Sequence, residues 1–65
     1  MARNLRKVIK DIQAELEEKQ NVPINDFKKA FMIVSGYGKN KINEWTWQFE
    51  ELDLIKISGG IVTFV

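Results

Sequence analysis

The segment NDFKKAFMIVSGYGKNKINEWTWQFEELDLIKI, residues 25–57, decides the fold of this 65-residue chain. Its pattern predicts a helix over 26–35, a tight glycine turn, a second helix over 39–52 and the first strand of a hairpin. We expect Asn25 or Asp26 to cap the first helix. The apolar stripe of that helix consists of Phe27, Ala30, Phe31 and Val34, with Met32 and Ile33 partly buried beside it.

The turn occupies residues 35–38, with the sequence SGYG. Gly36 stands where a helix ends in a left-handed residue, a conformation that glycine adopts at the lowest cost. Gly38 or Asn40 is expected to cap the next helix. Trp47 is about 140° from the core stripe of that helix and is predicted to face outward. The inward positions are Ile42, Trp45, Phe49 and Leu52.

Before this segment, an amphipathic helix is predicted over residues 3–19, with Asn4 as a candidate cap. Pro23 and its polar neighbours end it, and residues 22–24 are expected to pair as a short strand at one edge of a small sheet. The apolar stripe of this helix, at helical spacing, is Leu5, Val8, Ile9, Ile12 and Leu16.

After the segment, the period changes to that of a β-hairpin over residues 54–65, with a two-residue Gly59-Gly60 loop. This loop sets a register in which Ser58 faces Ile61, Ile57 faces Val62, Lys56 faces Thr63 and Ile55 faces Phe64. The same register turns one side of the hairpin toward the helices. That side carries Ile55, Ile57, Val62 and Phe64.

Composition excludes several kinds of site. The chain has no cysteine, which rules out disulfides and thiolate metal sites, and no histidine, the commonest general base. The acids have the helical spacing of solvated charges, so we expect no enzyme, cofactor, metal or small-molecule ligand. No apolar run approaches the length that spans a bilayer and no signal peptide is visible, so we expect a cytoplasmic, soluble protein.

The distribution of charge is more informative than the net charge of +1. Nine of the ten basic residues lie between Arg3 and Lys41. The first and third predicted helices both carry bases in their first half and acids in their second, against the helix dipole. If the fold brings their N-terminal ends to one side, the molecule has a basic face and an acidic back.

The order of helix, short strand, helix, turn, helix and hairpin resembles the winged helix-turn-helix family of DNA-binding domains. The resemblance covers essentially the whole chain and is sharpest in SGYGKNKI (35–42) and FEELDLI (49–55). Asp53 stands where the family often has glycine, and Gly38 where it often has serine or threonine. The expected fold class is α+β, a three-helix winged helix-turn-helix with a short C-terminal β-hairpin wing, in a single domain over 1–65.

The resemblance implies that residues 39–47 form a recognition helix lying in a major groove, where N-terminal positions meet base edges. It makes double-stranded DNA the expected partner. The candidate DNA-binding residues are Tyr37, Lys39, Asn40, Lys41, Asn43, Glu44, Trp47, Lys28, Lys29, Arg3, Arg6, Lys7, Lys10 and Lys56.

Each candidate also has a structural alternative. Lys39 and Lys41 either contact phosphates or guanine or are ordinary solvated lysines. Asn40 and Asn43 suit two-point recognition of adenine. The structural alternative is helix capping for Asn40 and a solvated surface position for Asn43. The exposed Trp47 contacts a thymine methyl, packs under the wing, or forms a dimer interface.

Two further candidates have alternatives of the same kind. The Tyr37 hydroxyl either reaches a phosphate or the ring only covers the turn. Glu44 either accepts from cytosine or pairs with Lys39 or Lys41. Trp45, on the core stripe, is expected to be structural.

Two functions remain open from the sequence. The first is a small sequence-specific transcriptional regulator that binds duplex DNA as a homodimer, because two copies double the base contacts across a palindrome. The second is a winged-helix module for protein–protein assembly, which the net charge near zero and the outward Trp47 would suit.

Overall fold

The computed structural model of the chain describes residues 4–65, so Arg3 lies outside the described residues. Within them, three helices, one short strand and a C-terminal antiparallel hairpin form an α+β arrangement consistent with a winged helix, which confirms the predicted fold class. The elements in chain order are α1 (Leu5–Glu15), β1 (Asn21–Pro23), α2 (Ile24–Ser35), α3 (Lys39–Glu51), β2 (Ile55–Ser58) and β3 (Ile61–Phe64).

The three strands form one antiparallel sheet in the order β1-β3-β2. The hairpin register is the predicted one, from Ser58 opposite Ile61 to Ile55 opposite Phe64. β1 starts one residue earlier than predicted and places Val22 opposite Val62. One face of the sheet packs on the helices, and its residues Ile55, Val62, Phe64 and Val22 are buried.

α1 begins at Leu5 and not at residue 3 as predicted, but Asn4 caps it as expected: its side-chain oxygen accepts a hydrogen bond of 3.2 Å from the Lys7 backbone N–H. It ends at Glu15, so the predicted extension to Lys19 is wrong. Glu17 and Glu18 have φ values of 60° and 58°, in the left-handed region that ends a helix. The chain must turn here, because the next residues pair with β3 across the molecule.

α2 begins at Ile24, directly after β1, and the prediction that Asn25 or Asp26 caps it is wrong. No side chain caps this helix; instead the Ile24 N–H donates a 2.9 Å hydrogen bond to the Gly60 carbonyl in the hairpin loop. The tertiary fold therefore satisfies a donor that sequence reasoning assigned to a side-chain cap. Met32 and Ile33, expected to be partly buried, are exposed.

Phe31 stands at the centre of the core. Its ring stacks on Phe49 at 5.4 Å between centroids and meets Phe27 edge-on at 6.1 Å. Tyr37 and Trp45 approach the same ring at 6.1 and 6.5 Å. Aromatic pairs in such tilted and edge geometries add stability beyond area burial, and these pairs join α2, the turn and α3.

The inward face of α3 differs from the prediction at two positions. Leu52 is 55% exposed, because the helix ends at Glu51 and Asp53, with a φ of 59°, turns the chain toward β2. Leu54 is partly buried against the core instead. Thr46, which an apolar pattern does not select, is buried, and its hydroxyl donates a 2.7 Å hydrogen bond to the Ile42 carbonyl.

The turn between α2 and α3 gives a stability prediction. Gly36 has a φ of 74°, and its N–H donates to the Met32 carbonyl at 2.8 Å, closing α2. We expect Gly36→Ala to lower the free energy of unfolding by about 1–2 kcal/mol, because a Cβ is disfavoured in this conformation. Urea denaturation followed by circular dichroism measures the change.

Gly38→Ser is the matched control, because Gly38 has an extended φ of −81° and occupies the N-cap position of α3. Open space surrounds the position of a Cβ at both glycines. The serine should leave stability unchanged or raise it by a few tenths of a kcal/mol. Equal losses in the two variants would show that the left-handed conformation of Gly36 is not what limits this turn.

Candidate nucleic-acid interface

A groove lies between α2 and the start of α3, with a volume of about 380 Å³. Four of its residues are among the predicted DNA contacts: Lys28, Lys29, Lys39 and Asn43. Asn25, Met32 and Ile42 complete the lining. The fold thus brings together side chains from two helices that are separated by the turn in the sequence.

The lining of the groove is cationic. It contains three lysines and no aspartate or glutamate. Within residues 4–65 the ion pair found joins Lys7 to Asp11 at 3.6 Å on the exposed surface of α1, so the groove lysines are not neutralised by a salt bridge to another described residue. Such a groove attracts an anion and repels a cation.

The N-terminus of α3 adds hydrogen-bond donors beside the groove. Gly38 occupies the N-cap position and has no side chain to accept from the first N–H groups of the helix. The first turn of α3 also contains no acidic residue. The positive end of the helix dipole therefore adds to the charge of Lys39.

The turn fixes the relative position of the two helices. The Ser35 hydroxyl donates to the Phe31 carbonyl at 2.6 Å and accepts from the Tyr37 N–H at 3.2 Å. Tyr37 then packs on Trp45, with 5.7 Å between ring centroids. The ring thus covers the turn, which was one of the two alternatives for Tyr37. Contact of its hydroxyl with a phosphate stays a prediction.

The outward face of α3 carries two amides, an acid and an aromatic ring. Asn40 does not act as a cap, and neither its amide nor that of Asn43 hydrogen-bonds to another residue in the described range. Glu44 forms no ion pair with Lys39 or Lys41 among those residues. Side chains left without intramolecular partners are available to a ligand.

The two tryptophans of α3 have different surroundings. Trp47 is 61% exposed, which confirms that it faces outward. Trp45 is half-buried against Phe31, Tyr37 and Phe49, as a structural residue should be. The Lys41 ammonium lies 5.6 Å from the centre of the Tyr37 ring, in a cation–π contact outside the groove.

The basic residues of α1 lie elsewhere. Arg6 lines a depression with Leu52 and Leu54, just beyond the C-terminal end of α3. Because α3 has 13 residues, its start is about 18 Å away along its axis. The condition for a shared basic face, that the N-terminal ends of α1 and α3 lie on one side, is therefore not met.

Two other α1 candidates also lie outside the groove. Lys10 lies beside Phe64 and Val65 at the base of the hairpin, and Lys7 pairs with Asp11. Contact of these residues with DNA stays a prediction, and Arg3 falls outside the described residues.

The wing offers little to a ligand in the groove. Lys56 is exposed opposite Thr63, on the face of the sheet that points away from the helices. The Thr63 hydroxyl donates to the Asn21 side-chain oxygen at 2.7 Å. The hairpin loop itself consists of Gly59 and Gly60 and presents no side chain.

Sequence reasoning missed Asn25 and Met32 as groove residues, because Asn25 was taken for a helix cap and Met32 for a partly buried residue. Their spacing held the signal: Asn25, Lys28, Lys29 and Met32 recur three and four residues apart, which places them along one side of a helix. That side of α2 is the one that faces α3.

No protein-family model, curated protein or solved structure matches this chain. Among the helices in residues 4–65, none has the length and apolar character needed to cross a bilayer.

The different exposure of the two tryptophans gives a second prediction. Trp47→Ala should change the free energy of unfolding by less than about 0.5 kcal/mol, as surface substitutions usually do. Trp45→Ala should cost about 2–4 kcal/mol, because it removes a ring from the aromatic cluster. Urea denaturation of both variants tests this.

Fluorescence of the single-tryptophan variants is an independent check. Trp45→Phe leaves only Trp47, whose emission should be red-shifted and strongly quenched by acrylamide. Trp47→Phe leaves only Trp45, which should be quenched less. Equal quenching of the two variants would contradict the exposures described above.

Proposed function

We propose that this protein is a sequence-specific binder of double-stranded DNA, most simply a small transcriptional regulator, with residues 39–47 of α3 in the major groove. The observation that carries the proposal is the cationic groove between α2 and α3. It gathers Lys28, Lys29 and Lys39 beside the uncapped start of the helix.

The chemistry of the groove suits a phosphate backbone. DNA presents a row of negative charges, and each lysine that neutralises one releases a condensed counterion into solution. Lysines on two helices can hold neighbouring phosphates and fix the register of α3 on the duplex. A net charge of +1 is compatible with this, because three lysines and no acid line the groove that the duplex would cover.

The proposal includes a homodimer and a cytoplasmic location. One 65-residue domain presents few base contacts, and a twofold dimer on a palindromic site doubles them. The absence of cysteine is compatible with a reducing compartment. The proposal requires no catalysis, metal or cofactor.

A second candidate function is protein–protein assembly without DNA. It is favoured by exposed apolar side chains on the helical face and at the end of α3, notably Ile33, Trp47 and Leu52. Aromatic residues are enriched in protein interfaces, where a central tryptophan often contributes much of the affinity. On this alternative, Trp47→Ala abolishes association with a partner and no duplex binds.

A salt titration tests the DNA proposal. Binding of a fluorescent pool of randomised 20-base-pair duplexes should weaken steeply as salt rises, with a slope of about −0.9 per phosphate neutralised. The triple variant Lys28→Ala/Lys29→Ala/Lys39→Ala should flatten this slope by up to about 3 units. Fluorescence anisotropy across a salt series measures both.

The control is Lys7→Ala/Lys10→Ala/Lys19→Ala, which removes the same charge from exposed positions outside the groove. If the groove lysines carry the phosphate contacts, this variant should keep the wild-type slope to within about 1 unit, and a larger loss would instead place the α1 candidates Lys7 and Lys10 among the contacts. If both triple variants lose the slope equally, net charge and not the groove controls binding. No binding of the wild-type protein at low salt would reject the DNA proposal and leave the assembly function.

A further inference from the structure

We propose that Asn43 and Trp47 together read A·T base pairs in the major groove, so that the target site contains adenine and thymine within two base pairs of each other. This inference rests on the proposed DNA binding and adds which bases are recognised. It follows from where the two side chains lie relative to the lysine groove and from what else the outer face of α3 carries.

Asn43 is the residue that joins the groove to the outer face of α3. It lines the groove together with Lys28, Lys29 and Lys39, yet it is exposed and its amide has no hydrogen-bond partner within residues 4–65. Of the residues that α3 contributes to the groove lining, Asn43 is the one with an uncharged polar side chain. Where the lysines hold the phosphates, its amide, one helical turn beyond Lys39, reaches past them to the base edges in this proposal.

The chemistry of an amide selects adenine. The oxygen of the Asn43 side chain can accept from the N6 amino group of adenine while its NH₂ donates to N7, which is the two-point pairing that asparagine makes in the major groove. Guanine presents acceptors at both positions and cannot complete this pair. The side chain therefore discriminates between the two purines.

Trp47 lies one helical turn beyond Asn43 on the same side of α3. Four residues advance the helix by about 6 Å, and successive base pairs are about 3.4 Å apart. The two side chains thus fall within about two base pairs of each other. The exposed indole presents an apolar surface, and the C5 methyl of thymine is the apolar group on the major-groove edge of a base pair.

Beyond its first turn, α3 offers no side chain that selects guanine directly. The commonest contact to guanine is made by arginine or lysine at O6 and N7, and α3 has no basic residue after Lys41. Glu44 lies next to Asn43 in sequence and, as an acceptor, can pair only with the amino group of cytosine or adenine. In this part of the helix, Asn43 is therefore the side chain suited to read a purine, and the purine it suits is adenine.

The first experiment selects duplexes from the randomised pool with the wild-type protein and sequences the bound fraction. We expect adjacent positions enriched in adenine and thymine. Asn43→Ala should lose the enrichment for adenine, and Trp47→Ala should lose the enrichment for thymine. Both residues are exposed, and circular dichroism checks that the variants remain folded.

The second experiment changes single atoms in the selected duplex. Replacing the adenine by 7-deazaadenine removes the N7 acceptor, and should weaken wild-type binding about fivefold or more while leaving Asn43→Ala unaffected. Replacing thymine by uracil removes one methyl group, and should weaken wild-type binding about fourfold while leaving Trp47→Ala unaffected. Gln48→Ala, which changes an amide on the same helix outside both the groove lining and the candidate DNA contacts, should respond to both analogues like the wild type.

The outcomes separate this inference from the proposal beneath it. Salt-dependent retention of the pool without A·T enrichment, or equal analogue effects in wild type and variants, overturns the base assignment and leaves DNA binding in place. No retention of the pool at low salt overturns DNA binding itself, and the base assignment with it.

Discussion

The packing of Phe31 against rings from three parts of the chain is the interaction on which the other features of the structure depend. The Phe31 ring contacts Phe27 within α2, Tyr37 in the turn, and both Trp45 and Phe49 in α3. Protein interiors are packed too densely for one such ring to move alone. The angle between α2 and α3 is therefore set by this contact, and with it the distance between the lysines of the groove.

The charge order of α1 and α3 decides where the surface of the fold is basic. Each helix carries bases at its positive end and acids at its negative end, which is locally unfavourable. In the fold, Arg6 at the start of α1 lines a depression with Leu52 and Leu54 beyond the end of α3, and no ion pair joins it to an acid within residues 4–65. The start of α3, about 18 Å away along the helix axis, instead has the groove lysines beside it, so the basic ends of the two helices belong to separate surfaces.

Much of the fold could be predicted from the sequence because its strongest patterns are local. The stripe through Phe27 and Phe31, the glycine at the end of α2 and the two-residue hairpin loop each depend on residues close in the chain. The errors arose where distant residues decide the outcome. The Ile24 N–H has its acceptor at the Gly60 carbonyl. α1 ends early so that β1 can pair with β3, and Leu52 stays exposed because the chain turns at Asp53. For the site, the groove lysines could be identified from their charge. Asn25 and Met32 could be identified as groove residues only once the packing of α2 against α3 was known.

The order of the strands also bears on how the chain folds during synthesis. β1 and β2 touch only through β3, which is made last of the three, and Asn21 and Thr63 are separated by 42 residues. The helices can form early, but the sheet cannot close until residues 61–64 have left the ribosome. Such distant pairings slow folding. In a nascent chain the helices would therefore form while Val22 is still exposed to solvent, and pairing of β1 with β3 would be the last step.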